Sequence, residues 1–168
     1  EDRFNKVKPS SVTYEEFKVS VERGIKVLAD IQEDDAGFKS FGTHNSESIA
    51  QVIVALTSLN IDPLAPSITL PTINETVSFV KGDKNVLSAI LTFYAPGTGS
   101  QPWIGGFKHV TSGYDGGGGA GTTVNAMATD QATYALIAYE RFKKGLNNLY
   151  DMSDMTAGQY KTLNASQY

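Results

Sequence analysis

The sequence predicts an all-α protein built from helical hairpins, and three observations carry that prediction. Apolar residues recur at helical spacing in several segments, helix-capping residues stand where those segments begin, and one stretch of the chain is echoed by a later one. The composition is that of one folded domain, with 168 residues, 40% hydrophobic and 19% charged. A net charge of −4 leaves no basic footprint, which argues against nucleic acid as a partner. No apolar run approaches the length of a membrane helix. Cysteine is absent, so disulfides, thiolate zinc sites and cysteine nucleophiles are excluded together.

The first long helix is expected over Thr13 to Gln32. Thr13 and Glu16 have the spacing of a capping box, and Phe17, Val21, Ile25, Leu28 and Ile31 form an apolar face until Gly37 breaks the pattern. A second helix is expected from the N-cap Asn45 to about Asn60, where "NIDPLAP" stops it. It is apolar on nearly all sides, which places it inside the protein. The β-branched segment Ser67–Val80 reads as extended chain, with a possible short hairpin near 67–80. A third helix is expected from about Asp83 through Tyr94, and "APGTGSQPWIGG" is a loop. A last helix should run from about Asn125 to Lys144. The expected organisation is one domain over 1–154, with repeats at about 13–62 and 83–150, followed by a tail over 155–168.

The echo lies between Ala36–Leu56 and Gly105–Leu136. Both open on Gly-Phe-Lys, at Gly37-Phe38-Lys39 and Gly106-Phe107-Lys108. Both then reach a helix-starting Asn (Asn45, Asn125), a Gln (Gln51, Gln131) and an Ala-Leu pair (Ala55-Leu56, Ala135-Leu136). The glycine-rich stretch from Gly113 to Gly121 lies wholly inside the second copy. Its GxxxxG spacing suggests a phosphate cradle, but the lysine that follows the last glycine in such loops is missing, and no clear strand precedes it. The run therefore reads as slack, at roughly 1 kcal/mol of added closure entropy. The two glutamines sit on the second turn of their helices and are expected to bond neighbouring loop carbonyls.

The segment "IQEDDAGF" (Ile31–Phe38) resembles the QW motif of the α/α-toroid superfamily, which includes squalene–hopene cyclases and protein prenyltransferase β subunits. The motif carries over to Gln32, Asp35, Gly37 and Phe38, with Ala36 where glycine is usual and Phe where Trp is usual. "NSESIAQVIVALTSLNIDP" and "NAMATDQATYALIAYERFKKGLNNLYDMSD" are similar to the last repeats of toroid domains in exported bacterial proteins, mostly Gram-positive. The resemblance implies part of a ring of helical hairpins and an extracellular or cell-surface setting. It also implies a partner that completes the ring, either its remaining part or a second copy of the chain. Within that picture Ser46, Glu47, Ser48, Gln51, Thr129, Asp130 and Gln131 gather near the inner-helix N-termini.

Against the enzymes of that superfamily the chain is bare. Asp34-Asp35 is its only aspartate pair and lacks the leading Asp of the cyclase acid, D-x-D-D; the Asp, Cys and His zinc set of the prenyltransferases lacks its Cys. His44 and His109 sit on equivalent turns, and a shared metal would need Glu47 or Asp115 as well. A Ser46–His44–Asp130 triad has no nucleophile-elbow motif behind it. Asp115 among glycines offers too few oxygens for a strong calcium site. No catalytic residue, metal or cofactor is therefore assigned. Trp103, the only tryptophan, is either a core staple or a ligand platform. The candidate binding residues are Trp103, Glu47, Gln51, Thr129, Asp130 and Gln131. The expected function is a non-catalytic module binding a small molecule, a glycan or a protein. The alternative is a fragment of a cyclase- or prenyltransferase-like enzyme with its catalytic residues upstream, and a structural spacer is the third reading.

Overall fold

A computed structural model describes residues 2–7, 11–96, 105–116 and 118–155. The helices are α1 (Asp2–Val7), α2 (Tyr14–Ile31), α3 (Ser46–Ser58), α4 (Val86–Leu91) and α5 (Ala126–Lys143). Between them lie ten strands of two or three residues: β1 (Lys39–Ser40), β2 (Thr43–His44), β3 (Ile68–Leu70), β4 (Glu75–Val77), β5 (Val80–Lys81), β6 (Lys84–Asn85), β7 (Tyr94–Ala95), β8 (Gly106–Phe107), β9 (Tyr114–Asp115) and β10 (Gly119–Ala120). They pair antiparallel as β1–β2, β3–β4, β5–β6, β7–β8 and β9–β10.

Two expectations are overturned. The chain is mixed α/β, five helices with five small two-stranded sheets among the described residues, and not an all-α array of helical hairpins. With this the resemblance to the α/α toroid fails, because short β-hairpins occupy the places where helix should meet helix. The expected remainder of a ring falls with it, and the exported setting, which that resemblance alone implied, has no support from the fold. The physical reason is length. A strand of two residues shows no alternation, so the hairpin turns read as plain helix connections.

The caps form where the sequence places them. Thr13 and Glu16 close a capping box on α2, and the side chains of Asn45 and Asn125 accept from the amides of Ser48 and Ala128. The hairpin expected near 67–80 is present as β3–β4, tied to α2 by Glu22, whose carboxylate accepts from the Thr72 amide at 2.7 Å and hydroxyl at 2.6 Å. The third helix is shorter than expected: Asp83 lies in the β5–β6 turn and Tyr94 in β7.

Helix α3 is the centre of the core. Ile49, Ala50, Ile53 and Leu56 are fully buried, and α4 and α5 pack against it. The face that α5 turns inward is alanine at Ala128, Ala132, Ala135 and Ala138, which lets the two helices approach closely. Gln51 meets Gln131 near their N-terminal ends and Asn148, just past α5, bonds the Ser58 carbonyl, so α3 and α5 run parallel. Helix α2 packs less deeply. Ile25 and Ala29 are buried, but Phe17 and Ile31, expected on its core face, are exposed because α2 lies at the edge of the core. At the other end Arg141 donates to both oxygens of Asp154 at 2.6 and 2.7 Å and holds 147–155 to α5.

The repeat is deeper than two copies. Helix α4 is also entered by a buried Phe (Phe79), a hairpin (β5–β6) and an N-cap Asn (Asn85), matching Phe38 and Asn45 ahead of α3. Phe107 and Asn125 stand likewise before α5, and Asn45, Asn85 and Asn125 are evenly spaced in the chain. Gln32 ties two units together, its amide donating to the carbonyls of Ala36 and Phe79, each at 3.0 Å. Among the described residues no helix is long and apolar enough to cross a membrane. Residues 156–168, expected as a tail, lie outside the described residues.

Candidate functional site

The exposed stripe of α3, Ser48–Gln51–Ala55, floors a groove. One reach, about 370 Å³, lies between the β1–β2 hairpin and His109, Asp115 and Met127; the other, about 490 Å³, lies against Leu28 and Ile31 of α2. Ser40, Ser48 and Gln51 line both reaches and make them continuous. The size suits a small ligand or a short stretch of chain.

At one end stands a cluster that sequence reasoning weighed only as a metal set. Glu47, in the first turn of α3, is buried where a carboxylate is favoured by the helix N-terminus. His109, two residues after Phe107, puts Nδ1 at 2.8 Å from Glu47 Oε2 and Nε2 at 3.2 Å from Asp115 Oδ2. Burial works to lower the pKa of this imidazole, but the hydrogen bonds to Glu47 and Asp115 outweigh it, and the value is raised. Glu47 Oε1 is buried with no hydrogen-bond partner among the described residues. Ser46 locks the same corner: its amide donates to the His109 carbonyl at 3.1 Å, and its hydroxyl lies 2.9 Å from the Lys108 carbonyl.

The glycine run is built structure and not slack. A Cβ on Gly118 would fall 2.0 Å from His109 Cδ2, so only glycine lets the backbone lie on the ring. A Cβ on Gly121 would fall 2.5 Å from the backbone N and Cα of Ser112. The Gly121 amide donates to the Gly113 carbonyl at 2.9 Å and closes the β9–β10 hairpin over the cluster.

The candidate residues divide. Glu47 and Gln51 line the groove. Gln51 donates to Gln131 Oε1 at 3.0 Å and to the Tyr134 hydroxyl, so the two glutamines bond each other across α3 and α5 and not the loop carbonyls expected of them. Thr129 serves the backbone: its hydroxyl accepts from the Phe107 amide at 2.9 Å and lies 2.8 Å from the Asn125 carbonyl. Asp130 is exposed on α5 beside Gln131. Trp103 lies outside the described residues.

The triad considered from sequence is not assembled, since His44 pairs with Asp35 at 3.2 Å while Ser46 serves Glu47 and Lys108. No group of three or more His, Cys, Asp or Glu side chains among the described residues is arranged to hold a metal, and both nitrogens of His109 face carboxylates. For the same reason His109 offers no free lone pair for general-base work. A second cleft of about 460 Å³ lies beside His44, Lys84 and Thr92. Several of its polar groups are spent locally, Asp35 on the Gly37 amide, Ser88 on Asn85 and Thr92 on the Ala89 carbonyl.

One residue sequence reasoning passed over is Phe41. It sits at the tip of β1–β2 with φ +49°, followed by Gly42 at +82°, and it is fully exposed at the mouth of the groove. Two positive φ values in a two-residue hairpin turn are usually met by Asn-Gly or Gly-Gly. The signal was in the sequence: an X-Gly pair between Lys39-Ser40 and Thr43-His44. Comparison with known protein families, curated proteins and solved structures returns no match for this chain.

Proposed function

We propose that the chain is a non-catalytic binding module whose ligand lies in the groove along α3, between the Phe41 hairpin and the glycine hairpin. The observation that carries this reading is Phe41 itself. A left-handed backbone costs a residue with a side chain about 1–2 kcal/mol, and an aromatic in that conformation buries nothing here in return. Such a residue gives the folded chain no stability of its own. Exposed Met127 and Ile31 stand along the same groove, over a floor of amides and carboxylates at Gln51, Glu47 and Asp115. An apolar rim above convergent polar groups is the usual composition of a binding site.

Phe41→Gly tests the reading because it separates stability from binding. Glycine accepts the positive φ, and its own entropic cost takes back part of the gain, so stability should rise by about 0.5–1 kcal/mol, roughly 2 °C in thermal midpoint. Binding of the apolar dye anilinonaphthalene sulfonate should fall severalfold. Unchanged dye binding, or a clear loss of stability, would show that Phe41 serves the fold and not a ligand.

A further inference from the structure

The cluster at the head of the groove requires a proton. An ionised carboxylate only accepts hydrogen bonds, and a neutral imidazole carries one N–H and one lone pair. With ionised Glu47 on one ring nitrogen and ionised Asp115 on the other, both contacts are hydrogen bonds only when the ring is an imidazolium. Remove one proton and a lone pair faces a carboxylate oxygen at 2.8 or 3.2 Å. The ring and Glu47 are deeply enclosed, each side chain about 11% exposed, whereas Asp115 is 29% exposed. The Asp115 side is therefore the one that opens, and the proton leaves to solvent there.

We propose that Glu47, His109 and Asp115 form a proton-held clasp that closes the β9–β10 hairpin onto the N-terminus of α3, and that loss of the His109 proton releases the hairpin and the groove wall it forms. The consequence for ligand access rests on the binding reading above; the clasp does not.

Three features support it. The carboxylates come from two elements, α3 and β9, so the ring is the bridge between them. Gly118 lies directly on the imidazole, so any movement of the ring is felt by the hairpin. The ring also holds its proton more tightly than an ordinary histidine. Among the described residues the charged groups facing it are Glu47 and Asp115. The β1–β2 hairpin and α5 line this end of the groove with Ser40, Phe41 and Met127, none of them titratable, and Lys108 and Tyr114 are the ionisable chain neighbours of the ring and of Asp115. A group whose pKa is raised on folding stabilises the fold fully below its unfolded value, about 6.5, and loses that contribution as pH rises through the folded value. The clasp is closed below the ordinary histidine value and opens as pH rises through the ring's raised value.

The test is a pH series on 15N-labelled protein, following the histidine ring nitrogens and the exchange of the Gly118 and Gly121 amides, with His44→Gln to assign the two rings. The His109 ring should stay doubly protonated above the ordinary histidine range. As it loses its proton, protection of those amides, corrected for intrinsic pH dependence, should fall about tenfold or more, the factor carried by losing a hydrogen bond to a charged group. Asp115→Asn, which keeps an acceptor but removes the charge, should move both the ring titration and the loop opening to lower pH. A singly protonated ring beneath a fully protected hairpin would overturn the proposal. So would amide protection indifferent to the ring's titration, or an Asp115→Asn titration that does not move. If instead Phe41→Gly leaves dye binding unchanged, the binding reading fails and the ring titration stays as predicted.

Discussion

Phe79→Ala should destabilise the protein by about 4 kcal/mol and lower the thermal midpoint by roughly 10 °C. The ring is fully buried in the hydrophobic core, so truncation leaves a cavity in close-packed surroundings. Its carbonyl also accepts from Gln32, so any backbone adjustment that filled the cavity would strain a buried hydrogen bond between units. Against a typical total of about 5–15 kcal/mol the loss is large, and urea denaturation reads it directly. A loss under about 1 kcal/mol would mean that the middle unit is not packed as the outer two are.

Gly121→Ala should cost about 3 kcal/mol. The added methyl would meet Ser112 backbone at 2.5 Å, and backbone closed into a hairpin cannot turn aside as a side chain would. Gly116→Ala is the control. There, among the described residues, a Cβ meets only the edge of Tyr114 at 4.0 Å, so stability should change by less than about 0.5 kcal/mol. If the two variants behave alike, the glycine run is the slack connection its composition suggests. If they differ as stated, glycine is required by close contact at Gly121 and not at Gly116.

What the sequence made legible was local. Caps at Thr13, Asn45 and Asn125 and the apolar girth of α3 each follow from a few neighbouring residues, and each is found in place. The fold class was misread because the β-structure comes in pieces too short to have a period. The middle copy of the repeat was missed because Ser78-Phe79-Val80 departs from Gly-Phe-Lys and α4 is only six residues long. The His109 cluster was legible only as a possible metal set: Glu47 and His109 meet through a pairing with no local signal, and the glycines that cover them look, in sequence, like a linker. Phe41 was legible in principle, since an aromatic beside glycine between two polar pairs is an odd turn. A likeness built on caps and apolar helices was weighted above such details, and the hairpins overturned it.

That this chain binds through the face formed by α3, the Phe41 hairpin and the glycine hairpin is tested most directly by amide shift mapping with a library of small fragments. Hits should move the amides of Ser40, Phe41, Ser48, Gln51 and His109 together, along the reach between the two hairpins. Hits that gather in the cleft beside His44 and Lys84, or that leave the Gln51 amide unmoved, would contradict it.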